Sequence, residues 1–509
     1  MHKKIEEYSD KDIINFDVCI VGSGPAGISV ALKLLKNKNI KFAILESGEI
    51  EPKAEYQKLN HGYSKGERKL DLISSRLRCF GGAGKLWAGV CRPMSSFDFK
   101  KRFFKYSGWP ISYSDLDIYY KEAAKILGLD YDKFFNNDWK NKSRLAVIFN
   151  KFANKDGILK GVKYQRSKEK NRDLAKKYRK KLFESKNCTI ITNATVTDLI
   201  QREMGGLVKS ALVRSLTGKR ISVEAEFFIL CAGAIENPRI LLDSSIDKGL
   251  RDNKFLGKCF MSHPAFVGTA TMIKKKNSDE CFEVESDRGL EGDFGFELNY
   301  SEQQKNNILR HNINFSIPTS STAANNNNKI FYILDEFKKI KSFLNRVKCK
   351  IYNEEFSPKF WNVDVAIEQQ PRIDNYIKLS DAKDALGNRK VEIYWSSVSS
   401  IERKTVIEAT IGVGREAVIT NTGVCQLSEN TLNEKIFKQD DPINHHMGTT
   451  RMADTKQSGV VNKNLRYFGL DNLYISGSSV FSTSSIVNPS FTIIALSLRL
   501  GEFISNKFK

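Results

Sequence analysis

Hydrophobic positions along the chain fall into two regimes. Near the N-terminus, Phe16-Asp17-Val18-Cys19-Ile20-Val21 is a short, β-branched apolar run, which predicts a buried parallel strand. Gly22-Ser23-Gly24-Pro25-Ala26-Gly27 follows directly. Residues 28–35 are then apolar at helical spacing, and 41–45 predict a second strand ending at Glu46. The middle of the chain returns to this regime. Residues 187–192 read as a strand, Asn193-Ala194-Thr195-Val196 leads into Leu199-Ile200, and 227–234 form a fully apolar strand ending in small residues. A helix start follows at Ile235-Glu236-Asn237-Pro238-Arg239. Between 263 and 420 the pattern alternates instead, in 267–273, 312–317, 363–367 and 391–395, which predicts an antiparallel sheet with one covered face. The low-complexity run 320–328 predicts a loop, and no internal repeat occurs. The expected fold class is α/β, α+β overall: a parallel-sheet domain joined to a mainly antiparallel one with helices.

The first motif has a physical job at each position. Gly22 makes a tight turn, Gly24 lets the backbone approach a pyrophosphate, and Gly27 lets helix and strand pack closely. The helix N-terminus offers partial positive charge and free N–H groups to phosphates. Glu46, nineteen residues beyond Gly27, would accept hydrogen bonds from ribose hydroxyls and repel a 2′-phosphate. Strand, glycine loop, helix, strand and acid in that order predict a Rossmann-like dinucleotide site; the alternative is a tight turn in another α/β unit. Small residues at 231–234 suit close passage beside a cofactor, with plain helix–strand packing as the alternative.

Composition sets bounds. A chain of 509 residues, 41% hydrophobic and 28% charged, fits about two to four globular domains. No apolar run approaches the ~18 residues that cross a bilayer. The polar start MHKKIEEYSDKD predicts no secretory leader. The nine cysteines (19, 79, 91, 188, 231, 259, 281, 349 and 425) are scattered without a CxxC pair. They predict reduced buried thiols, no metal site and a cytoplasmic location. The net charge of +22 is concentrated in 160–181 and 336–350. Leu174, Tyr178 and Leu182 share one face of the first stretch, a surface helix with its lysines in water. Phe337, Ile340, Phe343, Leu344, Val347 and Ile351 make 337–351 a basic amphipathic helix, which either packs on the core or gives peripheral membrane contact. No nucleic-acid-binding module accompanies either stretch, so nucleic acid is not an expected partner.

Three more blocks join the first: Arg78-Cys79-Phe80-Gly81-Gly82-Ala83-Gly84-Lys85-Leu86-Trp87-Ala88-Gly89; Cys231-Ala232-Gly233-Ala234-Ile235-Glu236-Asn237-Pro238-Arg239; and a C-terminal set. That set is His445-His446-Met447-Gly448-Thr449-Thr450-Arg451-Met452, Asn472-Leu473-Tyr474-Ile475 and Asn488-Pro489-Ser490-Phe491-Thr492. With these blocks the chain resembles the glucose–methanol–choline (GMC) flavin oxidoreductases from end to end, and specifically their smaller bacterial, pyranose-oxidase-like members. The resemblance implies FAD, held by Gly22, Gly24, Ala26, Gly27, Glu46, Arg78, Gly81, Gly82, Trp87, Gly89, Val196, Ala232, Gly233, Glu236, Ser478, Pro489 and Thr492. It also implies a discontinuous FAD-binding domain, 1–100, 186–262 and 440–509. Residues 101–185 and 263–439 would then form the substrate-binding domain and connecting helices. Three positions depart from the family pattern. Gly84 replaces a common serine, Leu86 stands where pyranose oxidases often carry a flavin-linking histidine, and Gly477 stands where many members have an aspartate on the ribityl chain. Leucine cannot make the link, so non-covalent FAD is expected.

Taking hydride from an alcohol carbon is easier when the hydroxyl proton leaves to a base, and histidine, with a pKa near 6.5, suits neutral pH. The chain has six histidines. The resemblance makes His445 the base and Asn488 the group that holds the substrate oxygen. His446 is expected to line the pocket or pack, and His263, in Met261-Ser262-His263-Pro264, to mark the crossing into the substrate domain. The helix of 491–504 would aim its positive end at the flavin N1/O2 region. The expected activity is oxidation of a CH–OH group of a sugar, polyol or other alcohol, with hydride passing to flavin N5. The electron acceptor stays open between oxygen, quinone and protein. Two alternatives stand beside it: a flavin-containing lyase without net redox turnover, and a basic membrane- or nucleic-acid-associated flavoprotein.

Overall fold

The central strand of the first regime, Asp12–Val21, is flanked in parallel by Phe42–Leu45 and Arg220–Leu230. Cys188–Thr192 and then His2–Lys4 extend the sheet on one side, again in parallel. On the other side Val208–Arg214 and Thr195–Gln201 continue it as an antiparallel meander. Leu473–Ile475 completes the 8-stranded sheet by pairing in parallel with 228–230. Val18, Cys19, Ile20, Ile44, Ile229 and Leu230 are buried, as expected of strands covered on both faces. This is a computed structural model describing residues 1–135, 157–203, 205–274, 294–316, 360–438 and 441–509. The amphipathic segment expected at 337–351, the loop expected at 320–328, and Cys281 and Cys349 lie outside the described residues.

The helix Pro25–Leu34 begins on Gly24 with proline at its first position, where no N–H is missed. It packs against the helix Pro489–Ser505, so the two ends of the described chain share one core. Ile28, Val30, Ala31 and Leu34 of the first helix and Phe491, Ile494, Ala495 and Leu498 of the second are all buried in this core, each larger one worth roughly 1.5–3 kcal/mol when fully buried. The approach is close enough that a Cβ on Gly501 would lie 2.8 Å from the carbonyl oxygen of Val30.

The second sheet is 7-stranded and antiparallel. It runs Gly423–Leu427, Met261–Lys274, Phe360–Ile367, His311–Ser316, Phe294–Leu298, Leu159–Lys163, with Asp441–Met447 also paired to Met261–Lys274. The helix Ser400–Ile419, started by a Ser399/Glu402 capping box, covers one face. Its Val406, Ala409 and Val413 bury Ile313, Trp361, Val363 and Val365.

Several elements depart from the sequence expectation. Arg389–Trp395 lies in neither large sheet. It joins Tyr376–Lys383 and, in parallel, Tyr63–Gly66, because Val391, Ile393 and Trp395 pack on Ile235 and Phe260. The helices Ser114–Leu127 and Leu174–Glu184, in the stretch expected to supply the substrate-binding domain and connecting helices, bury Leu116, Tyr120, Leu174 and Leu182 in the first core. Asp441–Met447, expected on the cofactor side, is a strand of the second sheet. Along Leu174–Glu184, Lys176, Lys180 and Lys181 face water, but Lys177 turns inward and donates to the carbonyl oxygen of Ile126 at 2.5 Å and to Asn171 Oδ1 at 3.0 Å.

Candidate active site

The loop between Asp12–Val21 and Pro25–Leu34 is built around two contacts. Gly22 has φ +101°, and a Cβ there would lie 2.8 Å from the carbonyl oxygen of Cys231. A Cβ on Gly27 would lie 2.0 Å from the carbonyl oxygen of Gly22, so the helix can start this close to the strand only with glycine. Gly24 differs: a Cβ there would meet no atom within 4 Å. It faces the open space of a cavity, and it offers the helix no side-chain cap, leaving first-turn N–H groups for a ligand.

Glu46 closes the loop from the next strand. Its Oε2 accepts from Ser23 N–H (3.2 Å) and Ser23 Oγ (2.5 Å), and its Oε1 from Gly48 N–H (2.9 Å). Burial raises its carboxyl pKa, and the Ser23 and Gly48 bonds oppose the rise. Ser23 Oγ also accepts from Gly81 N–H at 3.1 Å, which ties in the 78–89 segment. Beside it Glu236 lies among three guanidinium groups: Arg76 at 2.5 Å, Arg239 at 2.6 Å and Arg78 at 2.9 Å. Burial alone would raise the Glu236 pKa; Arg78, Arg239 and Arg76 outweigh it and hold the carboxyl well below the usual range.

These residues share one cavity of about 630 Å³. Its wall includes the expected Gly22, Gly24, Ala26, Glu46, Arg78, Gly82, Trp87, Gly89, Val196, Ala232, Gly233, Glu236, Ser478, Pro489, His445 and Asn488. Three expected cofactor residues stand off the wall. Gly27 and Gly81 act through packing and the Ser23 bond. Thr492, one turn into its helix, is buried with its hydroxyl 2.9 Å from Tyr120 OH. The sequence reading missed Arg76, Arg239 and Asn60 on the wall, the last accepting from Arg78 Nε at 2.7 Å.

The donor set fits a dinucleotide. Three arginines surround the single carboxylate of Glu236, and this excess of positive charge suits a pyrophosphate. Among the described residues Arg239 Nη1 is buried without a hydrogen-bond partner. Glu46 keeps acceptor capacity for ribose hydroxyls beyond its three bonds.

At the far part of the wall, His445 sits on Asp441–Met447 and its Nδ1 is 2.9 Å from Nδ1 of His263 on the neighbouring strand. The rings are perpendicular at 88°, and His263 Nε2 lies 3.3 Å from the carbonyl oxygen of Ser484. Burial, then the nearby His263 and His446, push the His445 pKa well below its ordinary value. Burial, then Arg76, lower His446 to about 3. His446 also lines the cavity, its ring 5.8 Å from that of Phe260 and its Nε2 buried without a partner among the described residues. Asn488 precedes the helix Pro489–Ser505 but makes no capping bond to it, so its amide is not used up as a helix cap. The His263 contact could not be read from the Ser262-His263-Pro264 motif, because it depends on the register of two strands 182 residues apart.

Residues 371–497 match the family model for GMC oxidoreductase, and 17–250 match that for FAD dependent oxidoreductase. The chain is 23% identical over 570 residues to 2-methyl-1,2-propanediol dehydrogenase of Mycolicibacterium austroafricanum, covering 97% of this chain and 95% of that one. It is 24% identical over 305 residues to the fructose dehydrogenase large subunit of Gluconobacter japonicus, covering 56% of this chain and 48% of that one. Among solved structures, pyridoxine 4-oxidase from Mesorbium loti superposes with a TM-score of 0.59 at 16% identity, covering 96% and 99% of the two chains. A variant of Aspergillus oryzae RIB40 formate oxidase gives 0.56 at 15%, covering 98% and 99%.

Proposed function

The chain belongs to the GMC oxidoreductases and is an FAD-dependent enzyme, and from that premise we propose that it oxidises the CH–OH group of a small alcohol, diol or sugar to a carbonyl. One observation carries this reading: His445 and Asn488 line the same cavity as the open space at Gly24. Bound FAD supplies the acceptor for the hydride that leaves the carbinol carbon. Everything else is work for this chain. His445, kept neutral by burial and its histidine neighbours, takes the hydroxyl proton on a ring nitrogen. Asn488 donates an amide N–H to the same oxygen and cannot compete for the proton. The first turn of Pro489–Ser505 lines the cavity, and its N–H groups favour negative charge there. Leu86, on the wall and without a nucleophilic atom, supports FAD held by non-covalent contacts alone.

A relative aligned over nearly its whole length is named a diol dehydrogenase, which puts short alcohols and diols first among substrates to screen. The test is anaerobic mixing of the yellow protein with alcohols, diols and sugars while the flavin absorbance is followed, then admission of air. Substrate should bleach the flavin. His445→Ala should keep its FAD and reduce it roughly 10²–10⁴ times more slowly, the usual worth of a positioned base, with partial recovery at high pH. A variant that reduces at the wild-type rate overturns the assignment.

A further inference from the structure

The contact between His445 and His263 has a direction that the surrounding bonds decide. Two ring nitrogens 2.9 Å apart can bond only if one carries a proton and the other does not. His263 Nε2 faces the carbonyl oxygen of Ser484, which only accepts, so Nε2 carries a proton. His263 is buried, and burial lowers its pKa to about 4, so at neutral pH the ring holds that one proton. Its Nδ1 is then a bare acceptor. His445 must place its own proton on Nδ1 to meet it. We infer that His263 is a positioning residue that holds His445 in the tautomer with a bare Nε2, the atom that takes the alcohol proton; this rests on the reading of His445 as the base.

The anchor is rigid. Ser484 Oγ donates to the carbonyl oxygen of Gln369 at 3.0 Å and accepts from Gln369 N–H at 3.1 Å. Ser485 N–H donates to Glu368 Oε1 at 3.2 Å, and Ser485 Oγ donates to Asp98 Oδ1 at 2.8 Å. Glu368 is itself clamped by both Arg102 Nη atoms at 2.6 Å. On the strand side, Ser262 Oγ donates to the carbonyl oxygen of Ile443 and accepts from His445 N–H at 3.4 Å. The charged and titratable groups around the pair are therefore Glu368, with Arg102 behind it, and His446, with Arg76 behind it. When the alcohol proton arrives at Nε2, His445 becomes an imidazolium whose Nδ1–H still donates to His263. No proton moves on to His263, and the Ser484 carbonyl keeps that ring oriented throughout.

The test uses the FAD-loaded protein labelled with ¹⁵N-histidine, in which the six histidines give few enough ring signals to assign with His263→Asn and His445→Ala. Wild type should show His445 protonated at Nδ1 and bare at Nε2. His263→Leu should shift His445 toward the Nε2-protonated form and slow flavin reduction roughly 10–10²-fold at unchanged FAD content, a part of what a positioned base contributes. His263→Asn, whose Oδ1 can still accept from Nδ1, should keep the tautomer and recover most of the rate. A wild-type His445 protonated at Nε2, or a His263→Leu variant with wild-type tautomer and rate, overturns the inference. The wild-type spectrum and His263→Asn decide it even if the leucine variant does not fold. Failure of the base assignment itself shows separately, as full activity in His445→Ala.

Discussion

Gly24 and Gly27 stand three positions apart and respond to a side chain in opposite ways. At Gly24 a Cβ enters free space, so Gly24→Val should fold and melt close to wild type without FAD, yet purify colourless because the side chain fills the approach to the pyrophosphate. At Gly27 a Cβ collides with backbone 2.0 Å away, so Gly27→Val should lose the fold itself. Flavin absorbance per chain and far-ultraviolet circular dichroism on each variant check the pair; a yellow Gly24→Val would contradict the cradle. These glycines were legible in the sequence because their roles depend on neighbours a few residues away. Thr492 shows the limit. A family motif places it near the cofactor, but the helical turn after Asn488 sends its hydroxyl to Tyr120, and only the packed helix decides that.

Whole elements show the same division between local and distant causes. Alternation in 391–395 names a buried face and not the strand beside it, so it does not tell that the neighbours are Tyr376–Lys383 and Tyr63–Gly66. His311, at the start of His311–Ser316, is another case. Its Nδ1 donates to the carbonyl oxygen of Leu309 at 3.0 Å and its Nε2 accepts from Leu298 N–H at 2.9 Å, splicing two strands. Burial lowers its pKa to about 4. The unfolded chain takes up this proton below its ordinary pKa near 6.5, whereas the folded chain refuses it until about 4, so stability is lost as pH falls through that window. His311→Leu should therefore be the less stable protein at pH 8, by about 1–3 kcal/mol for the unpaired N–H. By pH 5 the gap should narrow by about 2 kcal/mol, because leucine has no proton to refuse. Urea unfolding at both pH values measures this; parallel losses in the two proteins would show that His311 does not carry the linkage.

At the scale of the molecule, a buried ionic cluster ties the segment 92–102 to the strands of the second sheet. Arg310 reaches Glu297 at 2.6 Å and Asp98 at 3.3 Å, Arg102 clamps Glu368, and Arg92 lies 3.9 Å from Glu297, so three cations balance three anions. Burial would push the Asp98 carboxyl up, but Arg310 and then Arg102 bring it below its usual value. Arg310→Leu leaves two buried carboxylates short of their partner and should cost about 3–5 kcal/mol, read from the midpoint of denaturant unfolding. A loss under 1 kcal/mol would mean that water or a rearranged arginine takes its place. Nothing in the sequence marks these residues, since single Arg, Asp and Glu positions scattered from 92 to 368 look like surface charge until the fold collects them. The division into two sheets is legible in the sequence; the sheet that Asp441–Met447 or Arg389–Trp395 joins is not, because a strand shows a buried face without naming its neighbour.

The pairing of Leu473–Ile475 with Arg220–Leu230, and of the helix Pro489–Ser505 with Pro25–Leu34, also orders events in time. The glycine loop leaves the ribosome some 450 residues before the elements that complete its cavity, about 20–90 s at 5–20 residues per second. Throughout that interval the helix after the loop lacks the helix that covers it, and the part of the cavity wall made by 443–446, 477–478, 488–490 and 493 is missing. The cavity is therefore complete only once these C-terminal elements are in place. Cells short of riboflavin should accumulate full-length colourless protein that turns yellow when the vitamin returns, even with new synthesis blocked.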